Sequence, residues 1–371
     1  MNHTELQPRV TCGVVEPRLI PACAAAVRQV EWRALLPLLA FVAVFHATVA
    51  AVLLTRGLPV GYLPQGEWLL VGVFSAGGLG CAVHILAGQV AGDWLNVRHG
   101  RPVPPPAERV AGFVRISAAG VALAVVFTLV MLANANLKPA LGVLNPRTYD
   151  LELEAIERAL CFGVLPSEWL VTRTSPAALK FWDFVYGSFA LYLLVSVMLA
   201  VCREGLRGGA RLVLALAAGL WVTLALSLLV PTWGPIYTHP EWYHVLLDCE
   251  SGHRARALAA SVRLYADEPA VRYAVAGISA MPSYHVLAWA CAGLLAWGRH
   301  SRPLGIAGAA MVLLNWISTV VLGWHYALDG LVGIGLAVIV CRLAERMIPA
   351  RPGPNSEQTP GRGRVEAEAT V

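Results

Sequence analysis

The sequence predicts an all-α fold, a polytopic membrane helical bundle of about eight transmembrane helices. Three observations carry that reading. Of 371 residues, 57% are hydrophobic and only 14% charged, too apolar a balance for an ordinary soluble domain. At least six stretches lack Asp, Glu, Lys and Arg for the length that a bilayer demands. Arginines collect in alternate links between those stretches, as expected of a chain that crosses repeatedly. The net charge of +5 is modest and needs no nucleic acid to explain it.

Residues 1–32 are mixed in charge and interrupted by proline, without the short apolar core of a signal peptide, and read as an inner-side arm. The first span is 34–55, uncharged, with His46 inside it. The second, 68–92, carries His84 and the small-residue cluster Gly77-Gly78-x-Gly80, which favours close helix contact. Neither span offers an acidic partner, so both histidines read as neutral, bundle-facing residues. A Pro- and Arg-rich link over 93–115 leads to the third span, 116–137. Residues 138–180 are too polar to cross, but 149–160 interleaves Leu151, Leu153, Ile156 and Leu160 with acidic residues, which predicts a helix lying on a surface.

The fourth and fifth spans, 184–202 and 212–230, are joined through Arg203, Arg207 and Arg211. A second long polar loop, 231–272, gathers His239, His244 and His253 with Glu241, Asp248 and Glu250, in no standard ligand spacing, so neither a metal nor another cofactor is implied. The sixth, seventh and eighth spans are 282–297, 303–323 and 325–347. The uncharged core of the eighth is short, but Asp329 and Arg342 lie about 20 Å apart along a helix, enough if the ends snorkel. Gly330, Gly333 and Gly335 would let that helix approach its neighbours. Residues 349–371, rich in Pro, Gly, Glu and Thr, are expected to be disordered.

Eight spans put both termini on one side, with the links 93–115, 203–211 and 298–302. Those links carry four, three and two Arg, against one and none in the short links opposite, so the Arg-rich side is cytoplasmic. Both long loops then face the exterior, together with Met281-Pro282-Ser283-Tyr284-His285 and Trp324-His325-Tyr326-Ala327-Leu328-Asp329-Gly330. A Pro-Ser pair before an apolar run reads as a helix N-terminus, whose free amides attract an anion, with His285 one turn inside. His325 and Asp329 are four apart, hence on one helix face and able to touch. A carboxylate bonded to one imidazole nitrogen leaves the other free to attack. These are the components of phosphoryl transfer through a phosphohistidine.

Pro282-Ser283-Tyr284-His285 resembles the second signature of the type-2 phosphatidic acid phosphatase superfamily, and His325-x-x-x-Asp329 its third. The longer strings from Gly277 to His285 and from Gly323 to Gly330 are closer to the branch containing inositol phosphorylceramide synthase, an inositolphosphotransferase. The chain has no Lys-x6-Arg-Pro first signature, and Ser318-Thr319 stands where the third signature carries Ser-Arg. The resemblance covers 110–348 and implies a six-helix membrane domain of that family, preceded by two extra helices within 33–109. It implies that His325 is the nucleophile, that Asp329 orients it, and that His285 is general acid and then base. It further implies that Ser283 and nearby amides hold phosphate oxygens, with Tyr284 and Tyr237 at the substrate; Tyr237 ends a Pro-rich element like that of the synthase branch.

The implied partners are a membrane lipid donor, either a phospholipid or an isoprenoid phosphate, and a polyol acceptor where transfer replaces hydrolysis. The implied location is the plasma membrane, with the site on its external or periplasmic face. Phosphate charge must still be compensated, and the outer-face candidates are Lys180, Arg254, Arg256, Arg263 and Arg272. A non-catalytic transporter or assembly partner on the same scaffold is the competing function, and it has no need of His285, His325 and Asp329 together. Cys161 and Cys249 alone fall in the external loops and are either a disulfide or two separate thiols.

Overall fold

Prolines mark where several helices begin, and apolar runs set how far they extend. The computed structural model describes residues 19–61, 88, 91–92, 94–100, 102, 105–269, 277–298 and 301–350. The expected second span with His84 and its glycine cluster, Arg272, the first eighteen residues and the tail beyond 350 lie outside the described residues. Among the described residues every regular element is helical.

Helix α1 spans Leu19–Arg28, and a 3-10 turn, Trp32–Leu35, leads into α2, Leu36–Leu54. Helix α3, Pro106–Leu137, starts ten residues before the expected span because Pro106 occupies a first-turn position where its missing N–H costs nothing. His46 in α2 donates Nε2–H to the Leu129 carbonyl of α3 at 2.8 Å, the bundle-facing placement expected of it. Helices α4 (Asp150–Leu160), α5 (Pro166–Val171) and α6 (Pro176–Gly187) make up the first long loop.

The fourth and fifth spans form one folded-back element, α7, Phe189–Leu229. At Gly205 the backbone takes φ 64° and ψ −158°, a conformation that glycine adopts without steric cost. The chain reverses there: position 208 sits against the Ala200 carbonyl and position 209 against Val201, pairs that a continuous helix would hold about 12 Å apart. The expected Arg-bearing link is therefore a single tight turn. Arg211 already lies inside the second arm, buried, bonded to Glu204 at 2.7 Å and to the Ile348 carbonyl at 2.8 Å.

The second long loop contains α8, Glu250–Asp267. Helix α9, Tyr284–Ala292, continues through a π-turn, Gly293–Trp297. It is short for a membrane crossing, but it occupies the middle of the bundle, where every side chain from Val286 to Ala292 is buried. Both arms of α7, together with α10 (Arg302–Val321) and α11 (Ala327–Met347), pack around it. Protein rather than lipid surrounds it, so bilayer thickness does not dictate its length. Among the described residues five helices, counting folded α7 once, are long and apolar enough to cross a membrane: Trp32–Leu54, Ala107–Leu144, Phe189–Leu229, Arg302–Val321 and Ala327–Met347. Gly330 and Gly333 of α11 do permit close contact, the first beneath the Trp316 indole and the second against the Ser283 carbonyl, whereas Gly335 has nothing near it.

The expected surface helix over 149–160 is present as α4. Helix α4 is amphipathic, but it buries its acids, Asp150, Glu154 and Glu157, and exposes Leu151, Ile156 and Leu160. The carboxylates turn inward to donors that await them there, backbone amides for Asp150 and Glu157 and the Tyr326 hydroxyl and His239 ring for Glu154, and the outward apolar face suits a membrane interface. Cys161 at the end of α4 and Cys249 before α8 are both free thiols, with no disulfide between them.

Candidate active site

Two helix N-termini and the loops before them bring the predicted residues together. Ser283 is the N-cap of α9; its hydroxyl accepts Val286 N–H at 3.4 Å, and its own amide donates to the Asp329 carbonyl at 3.1 Å. Ser283 is fully buried and its amide is already committed, so it joins α9 to α11 and does not line the cavity beside it. Tyr284 and Tyr237 do line that cavity, with their hydroxyls donating to the carbonyls of Leu216 (3.2 Å) and Ala255 (3.4 Å).

His285 is clamped by aromatic rings. Tyr186 at the end of α6 stacks on it with centroids 4.5 Å apart, and Phe189 at the start of α7 lies 4.3 Å away on a tilted plane. Trp324 stacks on Tyr186 in turn, at 5.5 Å. Among the described residues no side chain or backbone group hydrogen-bonds to the His285 ring, so both nitrogens remain available to a ligand.

His325 is buried, 5% exposed. Its Nδ1 lies 2.7 Å from the Ala280 carbonyl and 3.4 Å from Asp329 Oδ2. A carbonyl can only accept, so Nδ1 carries a proton, and in the neutral ring Nε2 is the nitrogen with the lone pair. Asp329 is the longer, secondary contact. The two residues do not share one helix face, because α11 begins only at Ala327 and His325 precedes its N-cap, Tyr326. They meet through capping geometry: Asp329, at the third helical position, accepts Tyr326 N–H at 2.9 Å, and the turn folds His325 back beside it. The His285 and His325 ring centroids are 6.3 Å apart with their planes tilted by 53°, and both rings line one cavity.

Both histidines open onto a cavity of about 610 Å³. Its far end lies between α3 and the two arms of α7 and is apolar, with Leu123, Phe127, Leu194, Leu216 and Leu220 in the walls. Its near end adds Lys138, Ser279, Trp233 and Trp324 to the histidines. Lys138 was not among the cations singled out from the sequence. Of those that were, Lys180 and Arg263 are exposed, Arg254 is paired with Glu250 at 2.9 Å, and Arg256 bonds His253 at 2.9 Å and the Leu247 carbonyl. The available signal was Lys138's place one residue past a long apolar run, as one of only two lysines in the chain.

The acidic face of α4 braces the turn that follows His325. Tyr326 OH donates to Asp150 and Glu154 at 3.1 and 3.0 Å, Asp150 also accepts the amides of Trp233 and Gly234, and Glu157 accepts Leu328 N–H at 3.0 Å. His239 turns to Glu154 and Glu241, His244 to the Glu241 carbonyl and His253 to Arg256, and among the described residues no cluster is arranged to hold a metal.

Burial, reinforced by the charges of Asp329 and Glu154, pushes Glu157 up to about 7 from the usual 4.5. The fold therefore keeps a proton there that the unfolded chain has already lost, and this group's contribution to stability falls as pH rises from 4.5 towards 7. Melting temperatures measured in detergent across that window should decline more steeply for the wild type than for Glu157→Gln. Equal slopes would contradict the buried, proton-holding state of this carboxyl.

A family model described as the PAP2 superfamily matches residues 151–343, just over half of the chain. No curated protein and no solved structure matches it. The matched segment contains α5, α6, the folded α7, both histidines and Asp329, whereas Lys138 and the α3 wall of the cavity precede it.

Proposed function

We propose that this chain, which belongs to the PAP2 superfamily, is an integral membrane lipid phosphotransferase or phosphatase working through a phosphohistidine on His325. The observation that carries the reading is the placement of two histidines at the polar end of an apolar cavity inside a membrane bundle, one with Nε2 left for attack and one whose ring has no hydrogen-bond partner among the described residues. An apolar recess ending in such groups suits a lipid whose phosphate lies at the histidines and whose hydrocarbon lies between α3 and α7.

In the first step His325 Nε2 attacks phosphorus, the bond to the leaving oxygen breaks, and protonated His285 gives its proton to that oxygen. The Ala280 carbonyl holds Nδ1–H throughout, and Asp329 stabilises the positive charge that builds on the ring. In the second step neutral His285 takes the proton of the acceptor hydroxyl as its oxygen attacks the phosphohistidine and His325 departs. Lys138 compensates phosphate charge, the role left open by the missing Lys-x6-Arg-Pro signature. That absence, with the strings around Gly277–His285 and Gly323–Gly330, favours an alcohol acceptor and an inositolphosphotransferase-like reaction. Arginine placement supports an external face for the histidines, in the plasma membrane.

The test supplies purified protein with radiolabelled phospholipid or isoprenoid phosphate, with and without inositol. Label in a new inositol ester is the expected product. Release of label into water alone would assign a phosphatase instead, and no turnover with any donor would overturn the reading.

A further inference from the structure

A second cavity, of about 620 Å³, lies at the opposite end of the bundle. Helix α3 reaches the first cavity at Asn134 and this one at Gly112, while α7 starts beside His285 and turns at Gly205 in this cavity's wall. The turn after α1 supplies Gln29 and Val30.

Its charges do not cancel. Glu31 pairs with Arg207 at 3.1 Å, and Glu204 pairs with Arg211 at 2.7 Å. Arg115 and Arg203 remain, both exposed, and among the described residues each touches only a neutral oxygen at long range: Gln29 Oε1 at 3.3 Å and the Ala296 carbonyl at 3.4 Å. Each fork therefore keeps donors in the geometry that binds phosphate oxygens bidentately. Beside them the wall is apolar, formed by Ile116, Ala119, Val201 and Leu206.

We infer that this cavity is a binding site for the phosphodiester headgroup of an anionic membrane lipid, held by Arg115 and Arg203. A free phosphate would satisfy the guanidinium groups but leave the apolar wall uncovered. The Arg-rich end of the bundle is also the one that meets the negatively charged cytoplasmic leaflet, and basic pockets between helices on that side suit such headgroups. The site is separate from the histidines and does not depend on the phosphotransferase reading.

The test incubates full-length protein with equimolar phosphatidylglycerol and phosphatidylcholine in mixed micelles and reads retained lipid by native mass spectrometry. Two arginines near a surface predict a preference of roughly 30-fold for phosphatidylglycerol. Arg115→Gln combined with Arg203→Gln should bring the two lipids close to parity. Arg147→Gln, in an exposed pair with Glu152, should leave the preference unchanged. Should the double variant fail to fold, Arg203→Gln alone decides, with a loss of about fivefold expected. Preference surviving in the folded variant, no preference in the wild type, or displacement of the lipid by inorganic phosphate would each overturn the site.

Discussion

His325→Ala is expected to bring turnover down by about 10⁴-fold or more, the scale on which removing a covalent nucleophile acts, while the protein remains folded in the membrane. The side chain is buried, but its one strong bond is to the Ala280 carbonyl, and Asp329 keeps its bond to Tyr326 N–H without it. Rates on a labelled lipid donor, with melting temperature as the folding control, measure the effect. Activity near that of the wild type would remove His325 as nucleophile. Asp329→Asn makes the informative contrast. Where a carboxylate alone sets the imidazole tautomer, its amide costs about 10⁴-fold. Here the Ala280 carbonyl already holds Nδ1–H at 2.7 Å and Asp329 stands farther off at 3.4 Å, so the loss should reflect missing charge alone, about 10²-fold. A loss equal to that of His325→Ala would mean that Asp329, not the carbonyl, sets the tautomer.

His285→Ala should show the second largest effect, and its size should depend on the leaving group. A general acid contributes about 10²–10⁴-fold when the departing oxygen is a poor leaving group and little when that oxygen leaves readily as an anion. The variant should therefore lose about 10³-fold on a lipid alkoxide donor and much less on a p-nitrophenyl ester. The clamp of Tyr186 and Phe189 orients the ring without consuming either nitrogen, which keeps both free to carry that proton. Equal losses on the two substrates would exclude proton donation by His285.

Much of this was legible in the sequence because it rests on local rules. Apolar runs located α2, α7, α10 and α11, and Pro282-Ser283 located the start of α9. The bundle-facing placement of His46 followed from the lack of an acid in its span, and the structure supplies the Leu129 carbonyl as a partner. The reading weakened wherever a polar residue's partner came from a distant segment. Amphipathicity established that α4 has two faces but not which is buried, since the donors that draw in Asp150, Glu154 and Glu157 belong to distant residues: the amides of 233, 234 and 328 and the Tyr326 hydroxyl. Spacing put His325 and Asp329 together for the wrong reason, as one helix face instead of a residue before the cap and one in the first turn.

The sequence by itself determined that the chain is a helical membrane bundle and singled out His285, His325 and Asp329 as candidates, because hydropathy, proline placement and short motifs act over a few residues. Only the tertiary structure decided what surrounds those residues. It put the Ala280 carbonyl on His325, Tyr186 and Phe189 around His285, Lys138 at the cavity's polar end, and α9 in the middle of the bundle. Each of these joins segments tens to well over a hundred residues apart, and burial makes such pairings matter: in a low-dielectric interior an unsatisfied polar group is costly, so distant elements dock where their donors and acceptors meet.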